Sequence, residues 1–287
     1  MICLENVNHF YPGPRGQKIP ALEDINLDIP EGGFTAIIGP NNSGKSTLGL
    51  ILSGLLSPSS GMVFIEGLDI ARWDHTLLHK AIGLIFSHPD DQIVFPTVED
   101  DLVFGLETLH LDSYQIEEKV TDILRFLGME KYRRFSVHHL SGGQKQKIAI
   151  AAMVMRGLRY LILDEPISFL DAESKREVLA LVQRIHQAGT TIIYLAGVFE
   201  ELIMADRIVA LDHGRVKWRG TLPELLQKPA EMAQWGIDVP PIVKLVNVLQ
   251  ESGLAILHPI YTVNQLLVAL KKLKHEKLKH EKFKLEN

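Results

Sequence analysis

Eight consecutive residues, Gly39 to Ser46, could bind the phosphates of a nucleotide. They read G-P-N-N-S-G-K-S and match the P-loop pattern G-x-x-x-x-G-K-[ST] in full. The apolar run before them (34–38) predicts a buried strand, and the run after them (47–52) predicts a helix. A tight loop at a helix N-terminus directs several backbone N–H groups at one anion. Lys45 adds positive charge for the outer phosphates, and the Ser46 hydroxyl can hold Mg²⁺.

A second group of candidate residues follows another apolar run. Residues 160–163 predict a buried strand that ends in Asp164-Glu165-Pro166. An acid at this position can hold Mg²⁺, directly or through water, and we assign that role to Asp164. Glu165 points to the opposite face of the strand, because side chains alternate, and could polarise an attacking water. The alternative is an exposed acidic turn before a proline.

The third motif is Leu140-Ser141-Gly142-Gly143-Gln144, which lies shortly before the acidic pair. A serine and two glycines that open a helix form another N-terminal anion site, and the alternative is a flexible surface turn. The order P-loop, L-S-G-G-Q, D-E-P resembles that of the ATP-binding cassette (ABC) ATPases. The resemblance implies that two subunits pack head to tail. Each L-S-G-G-Q signature would then contact the ATP bound by the opposite P-loop.

The resemblance also implies roles for single residues. Tyr11 stands where the family has an aromatic side chain that stacks on adenine, with a plain surface tyrosine as the alternative. Glu165 is the implied catalytic residue, and Ser46 and Asp164 are the implied metal ligands. Asp171 belongs to a loop of family pattern S-x-L-D that serves the opposite site. The implied cofactors are ATP and Mg²⁺, and the implied ATP-binding residues are Tyr11, Gly39, Pro40, Asn41, Asn42, Ser43, Gly44, Lys45, Ser46 and Thr47.

The chain departs from the family pattern at three positions. Ser87 replaces a glutamine that reaches the Mg²⁺ and the attacking water, and Gly197 replaces a histidine that contacts the γ-phosphate. Asn42 replaces a P-loop glycine, but Asn tolerates left-handed backbone geometry. Loss of a hydrogen-bond donor to the transition state raises the activation free energy by about 3–4 kcal/mol, which slows the reaction roughly 10²–10³-fold. We therefore expect impaired hydrolysis at this chain's own P-loop; the alternative is a working site with a substitute such as His88.

Composition limits the function classes. The chain has 287 residues, 46% apolar and 23% charged, which is typical of globular proteins. Its net charge of −5 gives no indication of a nucleic-acid surface, and a single cysteine, Cys3, excludes an internal disulfide framework. We find no signal-peptide pattern and no apolar run of the roughly 20 residues that span a bilayer. We therefore expect a soluble chain that reaches a membrane through a partner.

The pattern along the chain predicts an α/β fold. We expect a P-loop NTPase core of ABC ATPase type with an antiparallel β subdomain, a helical signature subdomain at about 90–157 and a C-terminal α-rich extension. The ATPase domain would span 1–228 and the extension, with a charged tail, 229–287. Strands that alternate with helices after residue 160 indicate parallel pairing.

Two segments, 86–95 and 236–249, resemble the ATPases of cobalt and vitamin transporters, the energy-coupling factor ATPases. This resemblance implies an ATP-binding subunit at the cytoplasmic face of the membrane, held there as a peripheral protein. Its partners would be a second ABC ATPase subunit, identical or not, a transmembrane coupling subunit and a substrate-binding membrane subunit. The cargo would be a vitamin or a metal ion, and motion would pass through a groove near residues 87–106.

Other interpretations stay open at this point. The chain could drive another ABC importer, for cobalt, nickel or a peptide, or it could be a weakly hydrolytic nucleotide-binding regulatory subunit. A soluble cassette protein acting on ribosomes or DNA usually has tandem cassettes or long coiled-coil insertions, and this sequence has neither. The basic repeat at 273–284 predicts a solvated helix or frayed tail, with contact to anionic lipid headgroups as the alternative.

Overall fold

The computed structural model describes residues 1–254, 256 and 260–273, which form two β-sheets with helices around them. The strands are β1 (Ile2–Pro12), β2 (Lys18–Ile29), β3 (Phe34–Ile38), β4 (Ser60–Ile65), β5 (Leu68–Asp69), β6 (Ile82–Ile85), β7 (Tyr160–Asp164), β8 (Thr191–Ala196), β9 (Arg207–Asp212) and β10 (Arg215–Gly220). The helices are α1 (Lys45–Leu52), α2 (His75–Ala81), α3 (Val98–Leu106), α4 (Ser113–Leu127), α5 (Gly142–Val154), α6 (Ala172–Gln187), α7 (Leu222–Leu226), α8 (Pro229–Gln234), α9 (Pro241–Glu251) and α10 (263–273).

The larger sheet has the strand order β10-β9-β3-β8-β7-β6. Its five strands from β9 to β6 are parallel, and β10 pairs antiparallel at one edge. The predicted parallel pairing is therefore confirmed. Because parallel strands end at the same edge of a sheet, the loops after β3, β8, β7 and β6 lie side by side. These loops contain the P-loop, Gly197, Glu165 and Ser87.

The larger sheet separates two hydrophobic clusters. Along β3, Phe34, Ala36 and Ile38 join the cluster that includes α6, while Ile37 joins the cluster that includes α1. This alternation follows from the two-residue period of a strand. Helix α1 lies between the two sheets, since its cluster also contains residues of the antiparallel sheet such as Leu4. The helix that begins at the P-loop is thus packed on both sides.

The smaller sheet is antiparallel, with the order β2-β1-β4-β5, as predicted. The hairpin of β1 and β2 extends into a segment rich in turn-forming residues, Tyr11 to Gly16. Tyr11 pairs with Ile19 and Pro12 pairs with Lys18. Strand pairing across the hairpin outweighs the local turn preference of the prolines and glycines. Tyr11 therefore lies at the end of a strand instead of within a loop.

A helical lobe lies within the region predicted for the signature subdomain. Helices α3, α4 and α5 share a cluster of buried side chains that includes Leu102, Val120 and Ile148. Arg133 forms ion pairs with both α3 and α4: its Nη2 lies 2.6 Å from Glu99 Oε1 and 2.5 Å from Glu117 Oε2. The lobe therefore has a core of its own.

The predicted C-terminal extension begins with helices α8, α9 and α10. Met232 and Ile237 are buried in the same cluster as α6, whereas Val246 and Leu266 belong to a separate cluster. The first part of the extension therefore packs on the ATPase core, and the boundary at 228 stays a prediction. The predicted charged tail lies outside the described residues, apart from its first residue. Among the described helices, none combines the length and apolarity needed to cross a bilayer.

Candidate active site

The P-loop connects the end of β3 to the start of α1 in the way the motif predicts. Gly44 precedes the helix with φ of 103°, and Asn42 has φ of 64°. Both values are left-handed, so Asn42 adopts the conformation that its replacement of a glycine requires. The first N–H groups of a helix have no partner within the helix. The loop therefore offers a row of donors to an anion.

The P-loop forms one wall of a cleft of about 670 Å³. The cleft is lined by residues 41–47, by Tyr11, Ser87, Asp164 and Glu165, and by residues 19–21. The structure thus brings together predicted residues from three loops and the hairpin. The segment 19–21 was not among our candidates. No local pattern marks it, since it reaches the cleft only through the pairing of Tyr11 with Ile19.

Lys45 places a positive charge at the floor of the cleft. Its side chain is only 5% exposed, and its Nζ donates to the carbonyl oxygens of Gly39 (2.8 Å) and Pro40 (3.2 Å). The Nζ also lies 3.3 Å from Oε1 of Glu165. A buried ammonium group surrounded by oxygen atoms is held in a fixed position, ready to meet phosphate oxygens.

Asp164 and Ser46 fit a Mg²⁺ ion. Burial raises the pKa of Asp164 above its ordinary value, and a hydrogen bond from Ser46 opposes this rise. A cation beside the carboxylate would favour its ionised form in the same way. Mg²⁺ commonly takes one or two protein oxygen ligands and completes its shell with phosphate oxygens and water. The Ser46 hydroxyl and the Asp164 carboxylate are oxygen ligands of this kind.

Glu165 is held by neighbours on three sides. Its backbone is left-handed, with φ of 46°, and its N–H donates to Leu195 O at 3.0 Å. Ser168 Oγ donates to Oε2 of Glu165 at 3.1 Å. The sequence pattern gave Ser168 no role of its own, although it is the first residue of the S-x-L-D loop. The carboxylate is therefore positioned by both Lys45 and Ser168.

The two unusual positions lie at strand ends beside this carboxylate. Ser87 lines the cleft after β6. A Cβ atom at Gly197 would lie 3.0–3.4 Å from the carboxylate atoms of Glu165. Gly197 also lines a neighbouring cavity of about 260 Å³, together with Gly39, Pro40 and residues 236–241. Glu165 thus lies against the position where a larger side chain would begin.

His88, the substitute named above, and His213 both contact other side chains. The ring of His88 stacks on Phe169, with 4.1 Å between ring centroids, and is exposed. His213 Nδ1 lies 2.6 Å from Oδ1 of Asp212 at the turn between β9 and β10. Both imidazoles are therefore engaged with other side chains.

Glu201 is a buried acid that sequence reasoning missed. Its Oε2 accepts hydrogen bonds from the N–H groups of Gly197 (2.7 Å) and Val198 (2.9 Å), and its Oε1 accepts one from the Tyr194 hydroxyl (2.9 Å). Burial raises the pKa of Glu201. The carboxylate therefore holds the backbone after β8 in place. None of the sequence motifs above predicted this role for Glu201.

The signature residues lie at the N-terminus of α5 and do not line this chain's own cleft. Ser141 caps the helix: the Gln144 N–H donates to Ser141 Oγ at 3.3 Å, and the Ser141 N–H donates to Gln144 Oε1 at 2.9 Å. Ser141 and Gly142 are exposed, while Leu140 is buried. A Cβ atom at Gly143 would lie 2.5 Å from the Ser174 side chain.

Asp171 caps the neighbouring helix α6. Its carboxylate accepts hydrogen bonds from the N–H groups of Ser174 and Glu173 and from the Ser174 hydroxyl, and these bonds lower its pKa. The N-termini of α5 and α6 therefore meet at Gly143 and Ser174. The two motifs assigned to the opposite site by resemblance share one surface.

Comparison with known proteins decides the family. The family profile described as ABC transporter matches residues 22–168. The chain belongs to the ABC transporter family. It is 38% identical over 269 residues to the energy-coupling factor transporter ATP-binding protein EcfA of Syntrophomonas wolfei, covering 93% of this chain and 97% of that protein.

Solved structures agree with this assignment. This ABC ATPase superposes with a TM-score of 0.71 on cbiO1 from Clostridium perfringens, described as part of the ABC transporter complex cbiONQ; the identity is 30%, over 86% of this chain and 98% of that one. The dimeric, post-hydrolysis cassette MJ0796 with ADP and Pi gives a TM-score of 0.70 at 26% identity, over 77% of this chain and 99% of that one. The predicted family and fold class are confirmed, and the chain is an ATP-binding ABC ATPase.

Proposed function

We propose that this ABC ATPase is the ATP-binding subunit of an energy-coupling factor type importer. The likeness to EcfA extends over nearly the whole chain, which supports the subgroup beyond the cassette itself. The observation that carries the proposal is the cleft at the ends of β3, β6 and β7, where Lys45, Asp164 and Glu165 converge. In such a complex the chain would be a peripheral subunit at the cytoplasmic face, and the cargo would be a vitamin or a metal ion.

Within the cleft, the residues divide the work of binding. Tyr11 would stack on the adenine, and its position supports this, because its hydroxyl lies 3.3 Å from Thr47 Oγ1 at the start of α1. The P-loop N–H groups and Lys45 would bind the phosphates. Ser46 and Asp164 would hold Mg²⁺, which neutralises charge on the phosphates when it is bound. Glu165 would orient the attacking water.

The chain's own site would be partly degenerate. Ser87 has a short hydroxyl side chain in place of the glutamine amide that would reach the metal or the water. Gly197 has no side chain. The rings of His88 and His213 contact Phe169 and Asp212, which supports the proposal that neither replaces the missing imidazole. Without these donors the transition state loses charge stabilisation, while ATP binding through the P-loop is retained.

The signature and Asp171 would complete the site of a second ABC ATPase subunit. Ser141 and Gly142 are exposed at a helix N-terminus that does not line this chain's cleft, which supports contact with a nucleotide bound by another subunit. In a head-to-tail pair, this chain would support hydrolysis at its partner's P-loop more than at its own.

Contact with membrane subunits would involve a cavity between α3 and α5. This groove, of about 210 Å³, is lined by Gln92, Phe104, Ala149, Arg156 and their neighbours. Its apolar floor and charged rim are suited to a helical segment of a coupling subunit. It lies in the region that we predicted to pass motion to the membrane.

A second candidate function is that of a weakly hydrolytic nucleotide-binding regulator, which Ser87 and Gly197 favour. Purification of the tagged chain from detergent-solubilised membranes separates the two. We expect a stoichiometric complex with a second, non-identical ABC ATPase and two membrane proteins, and ATP-dependent uptake after reconstitution. Recovery of a chain that binds ATP but has no membrane subunits would overturn the importer proposal.

A further inference from the structure

The backbone N–H and C=O of Phe86, the residue directly before Ser87, each form a hydrogen bond with a glutamine side chain. Gln92 Oε1 accepts a hydrogen bond from the Phe86 N–H at 3.0 Å, and Gln146 Nε2 donates to the Phe86 carbonyl oxygen at 3.3 Å. We call Gln92 and Gln146 the glutamine pair. Ser87 lines the nucleotide cleft, so the pair bonds to the backbone of the residue directly before a cleft residue.

Gln92 replaces a missing strand neighbour. Strand β6 is the edge of the larger sheet, so its backbone groups on one side have no strand to pair with among the described residues. The Gln92 side chain fills that place: its Nε2 donates to Leu84 O at 2.8 Å while its Oε1 accepts from Phe86. One side-chain amide thus makes two ladder-like hydrogen bonds at the end of the strand.

Gln92 also lines the groove between α3 and α5. An occupant of the groove would therefore contact the residue that fixes the end of β6. Because the amide is bonded at both of its ends, a shift of Gln92 moves Leu84 and Phe86 with it. The groove is therefore connected to the cleft residue Ser87 through Gln92 and the backbone of Phe86.

Gln146 adds the connection to the signature. It lies on α5, the helix that begins with the signature, and its side chain is fully buried. It makes a single bond to Phe86, and within the described residues its Oε1 accepts none. Its connection is therefore weaker than that of Gln92, so α5 can move against the strand end at less cost.

We propose that the glutamine pair is a set of positioning residues that connects the groove, the cleft residue Ser87 and the signature helix. The proposal rests on the proposed function of the cleft and the groove. It explains how the chain can transmit motion although Ser87 lacks a long side chain: the connection runs through the backbone of Phe86, and residue 87 contributes only its own backbone. Lys145 and Asp90, joined by an ion pair (Nζ to Oδ1, 2.6 Å) between the same helix and loop, offer the rival route.

The test is hydrogen–deuterium exchange of the full chain with and without Mg²⁺ and a non-hydrolysable ATP analogue. In the wild-type chain we expect the nucleotide to change exchange in peptides covering 84–95 and 149–156. In Gln92→Met the Phe86 amide should exchange about tenfold faster, because one hydrogen bond is lost. The nucleotide-dependent change at 149–156 should then disappear, while nucleotide affinity stays at the wild-type value.

Gln146→Met should reduce the nucleotide-dependent change in exchange at 149–156 by less than Gln92→Met does. It also tests the connection separately if Gln92→Met folds poorly. Gln183→Met, on the exposed side of α6, is the matched control, and Asp90→Asn tests the rival route; both should behave like the wild type. A full nucleotide-dependent change in both glutamine variants, or its loss in Asp90→Asn, overturns the proposal. Absence of nucleotide binding by the wild-type chain would instead refute the function proposed for the cleft.

Discussion

Lys45 and Glu165 form an ion pair across the floor of the nucleotide cleft, with 3.3 Å between Nζ and Oε1. The other carboxylate oxygen of Glu165 accepts a hydrogen bond from Ser168, and the carboxylate lies against Gly197. The proposed catalytic acid and the phosphate-binding lysine therefore depend on each other. Bound phosphates would therefore compete with the Glu165 carboxylate for the positive charge of Lys45.

Lys45→Ala should weaken ATP binding by about tenfold or more, because hydrogen bonds to a charged group contribute about 1.5–3 kcal/mol each. Isothermal titration calorimetry with ATP measures the change. Lys119→Ala, which removes an exposed lysine from α4, is the matched control and should bind ATP like the wild type. Equal affinities in Lys45→Ala and the wild type would contradict the P-loop assignment.

The isolated chain should hydrolyse ATP roughly 10²–10³ times more slowly than a cassette pair whose second member has the glutamine and the histidine. The reason is that both sites of a homodimer would have Ser87 and Gly197. Steady-state phosphate release, with and without the non-identical partner, provides the comparison. Rapid hydrolysis by the chain alone, abolished by Glu165→Gln, would show that its own site is fully active.

In a mixed dimer, Ser141→Arg should remove most of the activity, since it places a bulky side chain against the partner's nucleotide. Glu165→Gln in this chain should change activity little, because its own site is already impaired. Ser141→Ala controls for the lost helix cap, which costs about 1 kcal/mol of stability. If Glu165→Gln reduced turnover as much as Ser141→Arg, the division of labour between the two sites would be wrong.

Glu201 should make stability depend on pH. Burial raises its pKa above the ordinary value of 4.5, so the folded chain keeps a proton that the unfolded chain loses. Stability contributed by this group is highest below pH 4.5 and falls as pH rises through the folded pKa. Glu201→Gln keeps the acceptor for Gly197 and Val198 but does not titrate, so it should gain stability relative to the wild type as pH rises.

Denaturant unfolding at about pH 5 and about pH 8 measures this difference. Glu201→Ala is the companion variant and should lose about 1–3 kcal/mol for each buried N–H left without an acceptor. A constant difference between Glu201→Gln and the wild type across this range would show that the acid is ionised in the fold at every pH tested.

The chemistry of the site could be read from the sequence because it is local. Gly39 to Ser46 lie on one turn between a strand and a helix, and Asp164 and Glu165 are neighbours, so spacing alone defines their relative positions. The parallel sheet followed in the same way from the alternation of apolar strands and helices after residue 160. Even the left-handed conformation of Asn42 was predictable, since few other residue types tolerate it.

What the tertiary structure decided depends on contacts between distant segments. Ile19 reaches the cleft through the register of two paired strands, which no pattern within either strand specifies. Gln92 and Gln146 meet at Phe86 although they lie far apart along the chain. A sequence pattern specifies side chains whose spacing is set by one helix or strand. It does not specify which buried polar groups meet, because that is determined by the packing of whole elements against each other.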